Sequence, residues 1–293
     1  MKIKTAAKIN LALDVTGRLP DGYHSIESVF QTVGLYDEVE VCLTAEGISV
    51  SCSVPEEFAS ADPIPCDERN IAYKAAALFF GETGAEGGCA IHIRKGIPSQ
   101  AGMGGGSTDA AAVLWSLNEL TSAGLSRDRL AAMGKKLGAD VPFFFTGGTA
   151  YAEGIGEEIR SLPDYSGRIL VIGKGKAGVS TKEAYAGIDS LTAPEHPDTK
   201  GLVKALEDAP ERAHEYFGNL FEQAGELEEV DKIKSVMLNK GAVKANMTGS
   251  GSAVFGLFED EESAGICAGK LRAWGYYGEV CKTVKEPFIV TEK

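Results

Sequence analysis

The sequence predicts an α+β fold, in which strands and helices are mixed without the regular strand–helix alternation of a doubly wound sheet. Apolar and polar residues alternate over Lys2–Val15 and Ala90–Arg94, as in half-buried strands, whereas apolar residues after position 110 recur every three or four positions, as on one face of a helix. The composition also turns polar near residues 154–163, and 293 residues are long for one hydrophobic core. We therefore expect two domains, residues 1–157 and 158–293.

The first half of the chain is predicted to be rich in strands, with a turn near Gly34 and loops over Gly17–His24 and Pro55–Glu68. The apolar run of residues 141–145 is expected to form a short strand that enters a hairpin at Gly147–Gly148 and continues into an alternating strand. The remaining predicted strands are Lys2–Val15, Phe30–Leu35, Asp37–Leu43, Gly47–Val54 and Ala90–Arg94.

Three helices are expected in the same half. Asn70 and Ser126 are residues of the type that caps a helix N-terminus, and each precedes apolar residues at helical spacing. Between these two helices, a third begins directly after a glycine-rich loop and is expected to end at Gly124. Its buried stripe comprises Ala110, Val113, Leu114, Leu117 and Leu120.

The second half of the chain opens with the strand RILVIG, residues 168–173, and a glycine-rich turn precedes a further strand near its end. The predicted helices are Thr181–Ala186, Leu202–Leu206, Glu211–Gln223, Leu227–Leu238 and Ser263–Trp274. The later predicted strands are Ala253–Phe258 and Gly278–Val284.

The net charge of −13 argues against nucleic acid or an anionic membrane as the main partner, because phosphate groups demand a basic surface. A small anionic ligand remains compatible, since a pocket can be locally positive in an acidic protein. The chain shows neither a signal peptide nor an 18-residue apolar stretch, so we expect a cytoplasmic protein. Its six cysteines form no CxxC pair and are expected to be reduced and buried.

The stretch QAGMGGGSTDAAAVL, residues 100–114, has the features of a phosphate-binding loop. Glycines allow the backbone to approach a phosphate closely, and the free N–H groups of the following helix attract an anion. The hydroxyls of Ser107 and Thr108 could bind phosphate oxygens or magnesium. A glycine-rich turn that serves packing alone is the alternative.

Two standard nucleotide-binding motifs do not account for this loop. The P-loop pattern requires a lysine after its last glycine, and here Ser107 follows Gly106. A G-x-G-x-x-G match occurs at Gly173–Gly178, but two lysines crowd it and no helix is predicted to open at the right place. The loop therefore requires a cation from elsewhere in the chain.

Three segments resemble the motifs of the GHMP kinases, a superfamily of small-molecule kinases. These segments are TAAKINLALDV near the N-terminus, PSQAGMGGGST at residues 98–108 and NMTGSGSAVFGLF at residues 246–258. Two departures are Ala6, where the family usually has proline, and Thr108, where serine is more usual. The resemblance implies a two-domain fold, with an N-terminal domain like domain 2 of ribosomal protein S5 and a ferredoxin-like C-terminal domain.

The resemblance also implies the roles of the reacting groups. Asp140 would accept the proton of an alcohol, and Lys8 would keep Asp140 ionised and place positive charge near the transferring phosphoryl group. ATP and Mg²⁺ are the implied cofactors, with Ser107 a candidate contact to the metal. The implied ATP-binding residues are Pro98, Ser99, Gln100, Ala101, Gly102, Met103, Gly104, Gly105, Gly106, Ser107 and Thr108.

Within the family, residues 7–39 are most similar to members that phosphorylate an alcohol linked to cytidine diphosphate. This similarity implies that Tyr23 and Tyr185 sandwich the cytosine, that His24 forms hydrogen bonds with it, and that Asn10 contacts the alcohol. The second glycine turn, which comprises Thr248, Gly249, Ser250 and Gly251, is expected to close the site.

Three other hypotheses remain open at this stage. A GHMP kinase for another alcohol, such as homoserine or mevalonate, would lack a use for Tyr23, His24 and Tyr185. A sensor that binds nucleotide without turnover would not need both Lys8 and Asp140. RNA binding is disfavoured by the charge. We expect ATP and one small molecule as the partners of a monomer or homodimer.

Overall fold

The computed structural model describes residues 1–55, 63–225 and 227–293. The predicted loop over Pro55–Glu68 therefore lies partly outside the described residues. The helices are α1 (Ile71–Thr83), α2 (Gly105–Leu120), α3 (Arg127–Lys135), α4 (Phe143–Thr146), α5 (Thr181–Asp189), α6 (Thr199–Asp208), α7 (Glu228–Asn239) and α8 (Glu261–Ala273). The strands are β1 (Lys2–Arg18), β2 (His24–Thr44), β3 (Ile48–Ser53), β4 (Gly88–Arg94), β5 (Thr149–Glu153), β6 (Glu158–Ser161), β7 (Ile169–Lys174), β8 (Gly218–Asn219), β9 (Lys244–Met247), β10 (Val254–Phe258), β11 (Tyr277–Lys282) and β12 (Phe288–Glu292).

The larger sheet has the strand order β12-β1-β2-β4-β3, with β5 paired to β2 and β6, and β8 paired to β1. Strands β3 and β4 are parallel and are joined through α1, because a parallel connection needs a crossover segment. Helices α1 and α2 bury their alanine-rich faces against the sheet. This packing places the start of α2, and the glycine-rich loop before it, beside β1.

The smaller sheet has the order β11-β7-β10-β9, and its neighbouring strands are antiparallel. Helix α7 lies between β7 and β9 in the chain, and α8 lies between β10 and β11. This β-α-β-β-α-β order is the ferredoxin-like arrangement expected for the second domain. A second apolar core between the two sheets includes Ile9 of β1 and Phe255 of β10. The exact division between residues 157 and 158 stays a prediction.

Several local predictions were wrong, each for a physical reason. Phe143–Thr146 forms the short helix α4 rather than a strand, and all three of its phenylalanines are buried. Periodicity alone cannot distinguish a short buried helix from a buried strand. Gly147 and Gly148 do not form a hairpin with that run, because β5 pairs with β2 and β6 instead.

The predicted turn at Gly34 is a β-bulge within the continuous strand β2. Ala6 pairs with Tyr36 whereas Ala7 pairs with Val33, so two residues of β2 are left out of the register. A Cβ at Gly34 would lie 3.3 Å from the carbonyl oxygen of Lys282, which explains the glycine.

The remaining differences concern helix type, helix length and burial. Residues 210–216 and 220–223 form 3₁₀ turns separated by β8 rather than one α-helix, and α2 ends at Leu120, before Gly124. All six cysteines are free, as expected, but Cys42 and Cys66 are exposed. No helix within residues 1–55, 63–225 and 227–293 has the length and apolarity needed to cross a membrane.

Candidate active site

The glycine-rich loop connects β4 to α2 and leaves the N-terminus of that helix open. Gly104 is the N-cap, with a φ of 70°, and no side chain caps the helix. The N–H group of Thr108 already donates to the Gly104 carbonyl at 2.9 Å, whereas those of the three residues before it belong to the uncapped first turn. These N–H groups and the helix dipole form a site for an anion.

A cavity of about 470 Å³ lies over this loop. Ser107 is half-buried and lines it, whereas Thr108 is fully buried and does not, and the Thr108 hydroxyl has no hydrogen-bond partner among the described residues. The role of Thr108 in binding ATP stays a prediction. The lining residues are Ile64, Pro65, Arg69, Asn70, Ile71, Ile93, Lys95, Asp109 and the loop from Pro98 to Ser107.

Lys8 lies against the loop and forms an ion pair with Asp140. Its backbone N–H donates to the carbonyl of Met103 at 3.0 Å, and its Nζ lies 3.4 Å from Oδ2 of Asp140. The lysine side chain is 5% exposed, whereas that of Asp140 is 31% exposed, so the carboxylate alone is open to a ligand. Nζ also lies 4.7 Å from the centre of the Phe30 ring. The structure thus brings the two predicted catalytic residues together beside the loop.

Asn10 connects Lys8 to the second glycine turn. Its Oδ1 accepts hydrogen bonds from Nζ of Lys8 at 2.9 Å, from the N–H of Gly249 at 3.0 Å and from the hydroxyl of Thr248 at 3.1 Å. Its Nδ2 donates to the hydroxyl of Ser28 at 2.8 Å. Asn10 is 1% exposed, so its observed contacts lie within the protein. Contact of Asn10 with an alcohol substrate stays a prediction.

The two glycine turns touch through their backbones. A Cβ at Gly102 would lie 2.3 Å from the Thr248 carbonyl oxygen, and a Cβ at Gly249 would lie 2.7 Å from Cα of Gly102. Both glycines have positive φ angles, 70° and 59°. Ser250 lies at the rim, where its hydroxyl is 3.2 Å from that of Thr181. The turn expected to close the site therefore lies directly against the glycine-rich loop.

Two residues that the sequence analysis did not identify hold the second turn in place. Asn219 donates from Nδ2 to the carbonyls of Met247 and Gly249, both at 2.9 Å. Glu222 accepts from the N–H of Met247 at 2.6 Å. Both residues lie within the predicted helix Glu211–Gln223, where no motif distinguished them from other polar residues.

The sequence analysis also did not identify a buried cluster of charged residues under the glycine-rich loop. Nζ of Lys95 donates to the carboxylates of Asp37 and Asp109, at 2.9 Å for Asp109. Asp37 also accepts from the N–H groups of Gly96 and Ile97 at 2.7 and 2.8 Å, directly before the loop. A Cβ at Gly105 would lie 3.3 Å from Nζ of Lys95. A second lysine therefore lies at the start of α2.

The cluster shifts the pKa values of Asp109 and Lys95. Burial raises the pKa of Asp109 to about 8, against the effect of the Lys95 charge. Burial opposes the charge of Lys95, but Asp109 and Asp37 together raise its pKa above the usual value. The signal that could have identified the cluster is the presence of charged residues within otherwise apolar strand ends and at the start of α2.

The residues predicted to bind the base lie at the other end of the site. The rings of His24 and Tyr185 are stacked, with centroids 4.6 Å apart and an interplanar angle of 16°. Burial, followed by the negative charge of Asp140, raises the pKa of Tyr185 to about 12. Tyr23 is 61% exposed. Stacking of a base between Tyr23 and Tyr185 stays a prediction.

Comparison with known proteins agrees with this geometry. The family model described as GHMP kinases N terminal domain matches residues 70–148, and the model described as GHMP kinases C terminal matches residues 195–276. The chain therefore belongs to the GHMP kinases.

Comparison with individual proteins shows which members of the superfamily this chain resembles. The 4-diphosphocytidyl-2-C-methyl-D-erythritol kinase of Clostridium novyi (strain NT) is 42% identical over 270 residues, covering 91% of this chain and 94% of that protein. A crystal structure of 4-(cytidine 5'-diphospho)-2C-methyl-D-erythritol kinase matches with a TM-score of 0.80 at 32% identity, covering 96% and 98% of the two chains. The chain belongs to this family of kinases. A homoserine kinase from Cytophaga hutchinsonii, at 18% identity and a TM-score of 0.77 over 99% and 96% of the chains, shares the fold alone.

Proposed function

We propose that the protein transfers the γ-phosphoryl group of ATP to the 2-hydroxyl of 4-CDP-2-C-methyl-D-erythritol, giving the 2-phosphate and ADP. This reaction belongs to the non-mevalonate pathway of isoprenoid precursor synthesis. The observation that carries the proposal is the pair of Lys8 and Asp140, held against the backbone of the ATP loop. Family relatives that bear this kinase name supply the identity of the alcohol.

The chemistry of the pair follows from its geometry. An alcohol is a poor nucleophile, so Asp140 accepts the hydroxyl proton as the oxygen attacks the γ-phosphorus. Lys8 forms an ion pair with Asp140 and places a positive charge beside the developing negative charge on the phosphoryl oxygens. Asn10 accepts a hydrogen bond from Lys8 and fixes the direction of its ammonium group. Phosphoryl transfer requires mainly such positioning and charge stabilisation.

The N–H groups at the start of α2 bind the phosphates of ATP in this proposal. Within residues 1–55, 63–225 and 227–293, no group of three His, Cys, Asp or Glu side chains could hold a metal ion. Mg²⁺ fits this site as an ion carried mainly by phosphate oxygens and water, which is its usual mode in kinases, with the half-buried Ser107 as its protein contact. When bound, it neutralises charge on the phosphates.

The cytidine end of the substrate would lie at Tyr23, His24 and Tyr185. The exposed ring of Tyr23 offers a stacking surface, and the ring nitrogen of His24 that is not bonded to Asp189 offers a hydrogen bond. Activity in the cytoplasm, as a monomer or homodimer, stays a prediction.

The proposal is tested with purified protein, ATP, Mg²⁺ and one alcohol at a time: CDP-methylerythritol, homoserine or mevalonate. We expect ADP release and a new phosphate monoester, followed by phosphorus NMR, with CDP-methylerythritol alone. Turnover of homoserine or mevalonate instead would assign the protein to another branch of the superfamily. Nucleotide binding without ADP release from any of the three would support a sensor.

Substitution of Asp140, the proposed proton acceptor, tests the mechanism. Asp140→Asn keeps the size of the side chain but removes its capacity to accept a proton, so we expect kcat to fall by about 10²–10⁴-fold while ATP still binds. Asp128→Asn, on the exposed face of α3, makes the same chemical change away from the site and should leave kcat unaltered. Full turnover by Asp140→Asn would refute the assignment of Asp140 as the base.

A further inference from the structure

Helix α5 holds His24 on two sides. Tyr185 covers one face of the imidazole ring, and the carboxylate of Asp189 lies 2.7 Å from Nε2 at its edge. Tyr185 and Asp189 are four residues apart and therefore project from the same face of the helix. Tyr185 and Asp189 thus both contact one histidine, which lies at the start of β2, more than 150 residues earlier in the chain.

We propose that Asp189 is a positioning residue for recognition of the pyrimidine base. It holds His24 with the proton on Nε2, so that Nδ1 accepts a hydrogen bond from the exocyclic amino group of cytosine. The proposal rests on the function proposed above, because it names the part of the substrate that His24 binds and adds the residue that prepares His24 for it.

The proton on Nε2 follows from the partner that this atom has. The hydrogen bond from His24 lowers the pKa of Asp189 below its usual value, and the positive charge of Arg18, at 3.6 Å, acts in the same direction. An ionised carboxylate can only accept hydrogen bonds, so Nε2 must be the donor. In neutral imidazole the other ring nitrogen is then an acceptor.

The side chain of His24 is 9% exposed, and Nε2 is the ring nitrogen that Asp189 engages. No residue in the described part of the chain forms a hydrogen bond with Nδ1 of His24. Asp189 occupies one ring edge and Tyr185 one ring face, so the histidine can neither flip nor rotate without losing one of the two contacts. A ring held in one tautomer and one orientation presents a defined acceptor.

This acceptor distinguishes the two common pyrimidines. Cytosine carries an amino group, which donates, at the position where uracil carries a carbonyl oxygen, which accepts. Nδ1 can accept from the amino group of cytosine, but it faces the carbonyl oxygen of uracil as a second acceptor. A site that is built to form a hydrogen bond disfavours an analogue that cannot form it. Asp189 thereby contributes to the choice of cytidine over uridine.

The test measures the dissociation constants of CDP and UDP by titration calorimetry and kcat/KM with CDP-methylerythritol. In Asp189→Asn the amide can either accept from Nε2 or donate to it, so both tautomers of His24 become accessible. We expect the preference for CDP over UDP to fall about tenfold and the KM for ATP to stay unchanged. Glu183→Gln, which removes one exposed charge from the same helix, is the matched control and should keep the preference.

A double-mutant cycle shows whether Asp189 acts through His24. In a His24→Ala background, Asp189→Asn should have no further effect on the CDP to UDP ratio. The inference would be overturned if Asp189→Asn left the CDP to UDP ratio of the parent protein unchanged, or lowered it equally with and without His24. It would also be overturned if the parent protein did not prefer CDP. A parent protein that prefers CDP in the expected way but phosphorylates no alcohol would refute the proposed kinase activity and leave the base recognition supported.

Discussion

Replacement of Lys95 by methionine tests the buried charge cluster under the ATP loop. The side chains of Asp37, Lys95 and Asp109 are 0%, 5% and 5% exposed, so the two acidic side chains would lose their shared cation in a site that is largely shielded from water. Removal of one partner from a buried ion pair costs about 3–5 kcal/mol, against a total free energy of unfolding of about 5–15 kcal/mol for a typical domain. Lys95→Met should therefore remove about a fifth or more of the stability.

The two carboxylates should not respond equally. Asp37 keeps the backbone N–H groups of Gly96 and Ile97 as donors, whereas Asp109 keeps the hydroxyl of Thr5, at 3.5 Å, and its hydrogen bond with Asp37 itself. Addition of Asp109→Asn to Lys95→Met should thus recover about 1–3 kcal/mol, the cost of an unsatisfied buried polar group. Addition of Asp37→Asn should recover less, because it weakens two existing hydrogen bonds.

Urea denaturation followed by circular dichroism measures each free energy of unfolding, provided that the denaturant slope stays constant across the variants. The interpretation would be refuted by a loss below about 1 kcal/mol in Lys95→Met, or by equal recovery in the two double variants. A small loss in Lys95→Met would mean that water reaches the cluster. Equal recovery in the two double variants would mean that the remaining hydrogen bonds of Asp37 stabilise it no better than those of Asp109.

Three further predictions concern other contacts of the site. Burial raises the pKa of Asp109 to about 8, so between about pH 4 and pH 8 the folded chain keeps a proton that the unfolded chain has released. The free energy of unfolding should therefore fall as the pH rises across this window, by up to about 1.4 kcal/mol per pH unit. Asp109→Asn should flatten that slope in urea titrations at pH 5, 6 and 7, and an unaltered slope would contradict the assignment. Gly102→Ala should separate the two glycine turns and lower kcat/KM for ATP about 100-fold, whereas Gly265→Ala, in open space on α8, should match the parent enzyme. Asn219→Ala should lower the free energy of unfolding by about 1–3 kcal/mol by leaving two carbonyls without donors, and a stability equal to the parent's in thermal denaturation would argue that water replaces the amide.

The sequence predicted the parts of the protein that depend on local pattern. Asn70 and Ser126 cap α1 and α3 through their side chains, as their residue types indicate. The glycine-rich loop was recognisable as a candidate phosphate site because its glycines stand directly before an apolar helical stripe, and the structure shows the uncapped helix start that this pattern predicts. Lys8 and Asp140 were placed by resemblance to a family, and the structure adds that they form an ion pair.

The parts that could not be predicted depend on contacts between distant segments. Lys95 meets Asp37 across 58 positions in the sequence, and no local pattern marks such a pair before β2 and β4 are aligned. The same holds for Asn219, whose partners lie 28 and 30 positions away. The run around Phe144 was assigned to the wrong element because uniform burial gives it no periodicity.

The edge of β1 has a consequence for biosynthesis. The strand that carries Lys8 pairs over Lys2–Thr5 with β12, which begins only at Phe288. During translation this edge of β1 remains without its neighbour until almost the whole of the described chain has been synthesised. An unpaired edge is a place where strands of other molecules can add, so the ribosome-bound intermediate is exposed to misassociation at the catalytic strand itself. Completion of the larger sheet thus coincides with the end of synthesis of the described residues.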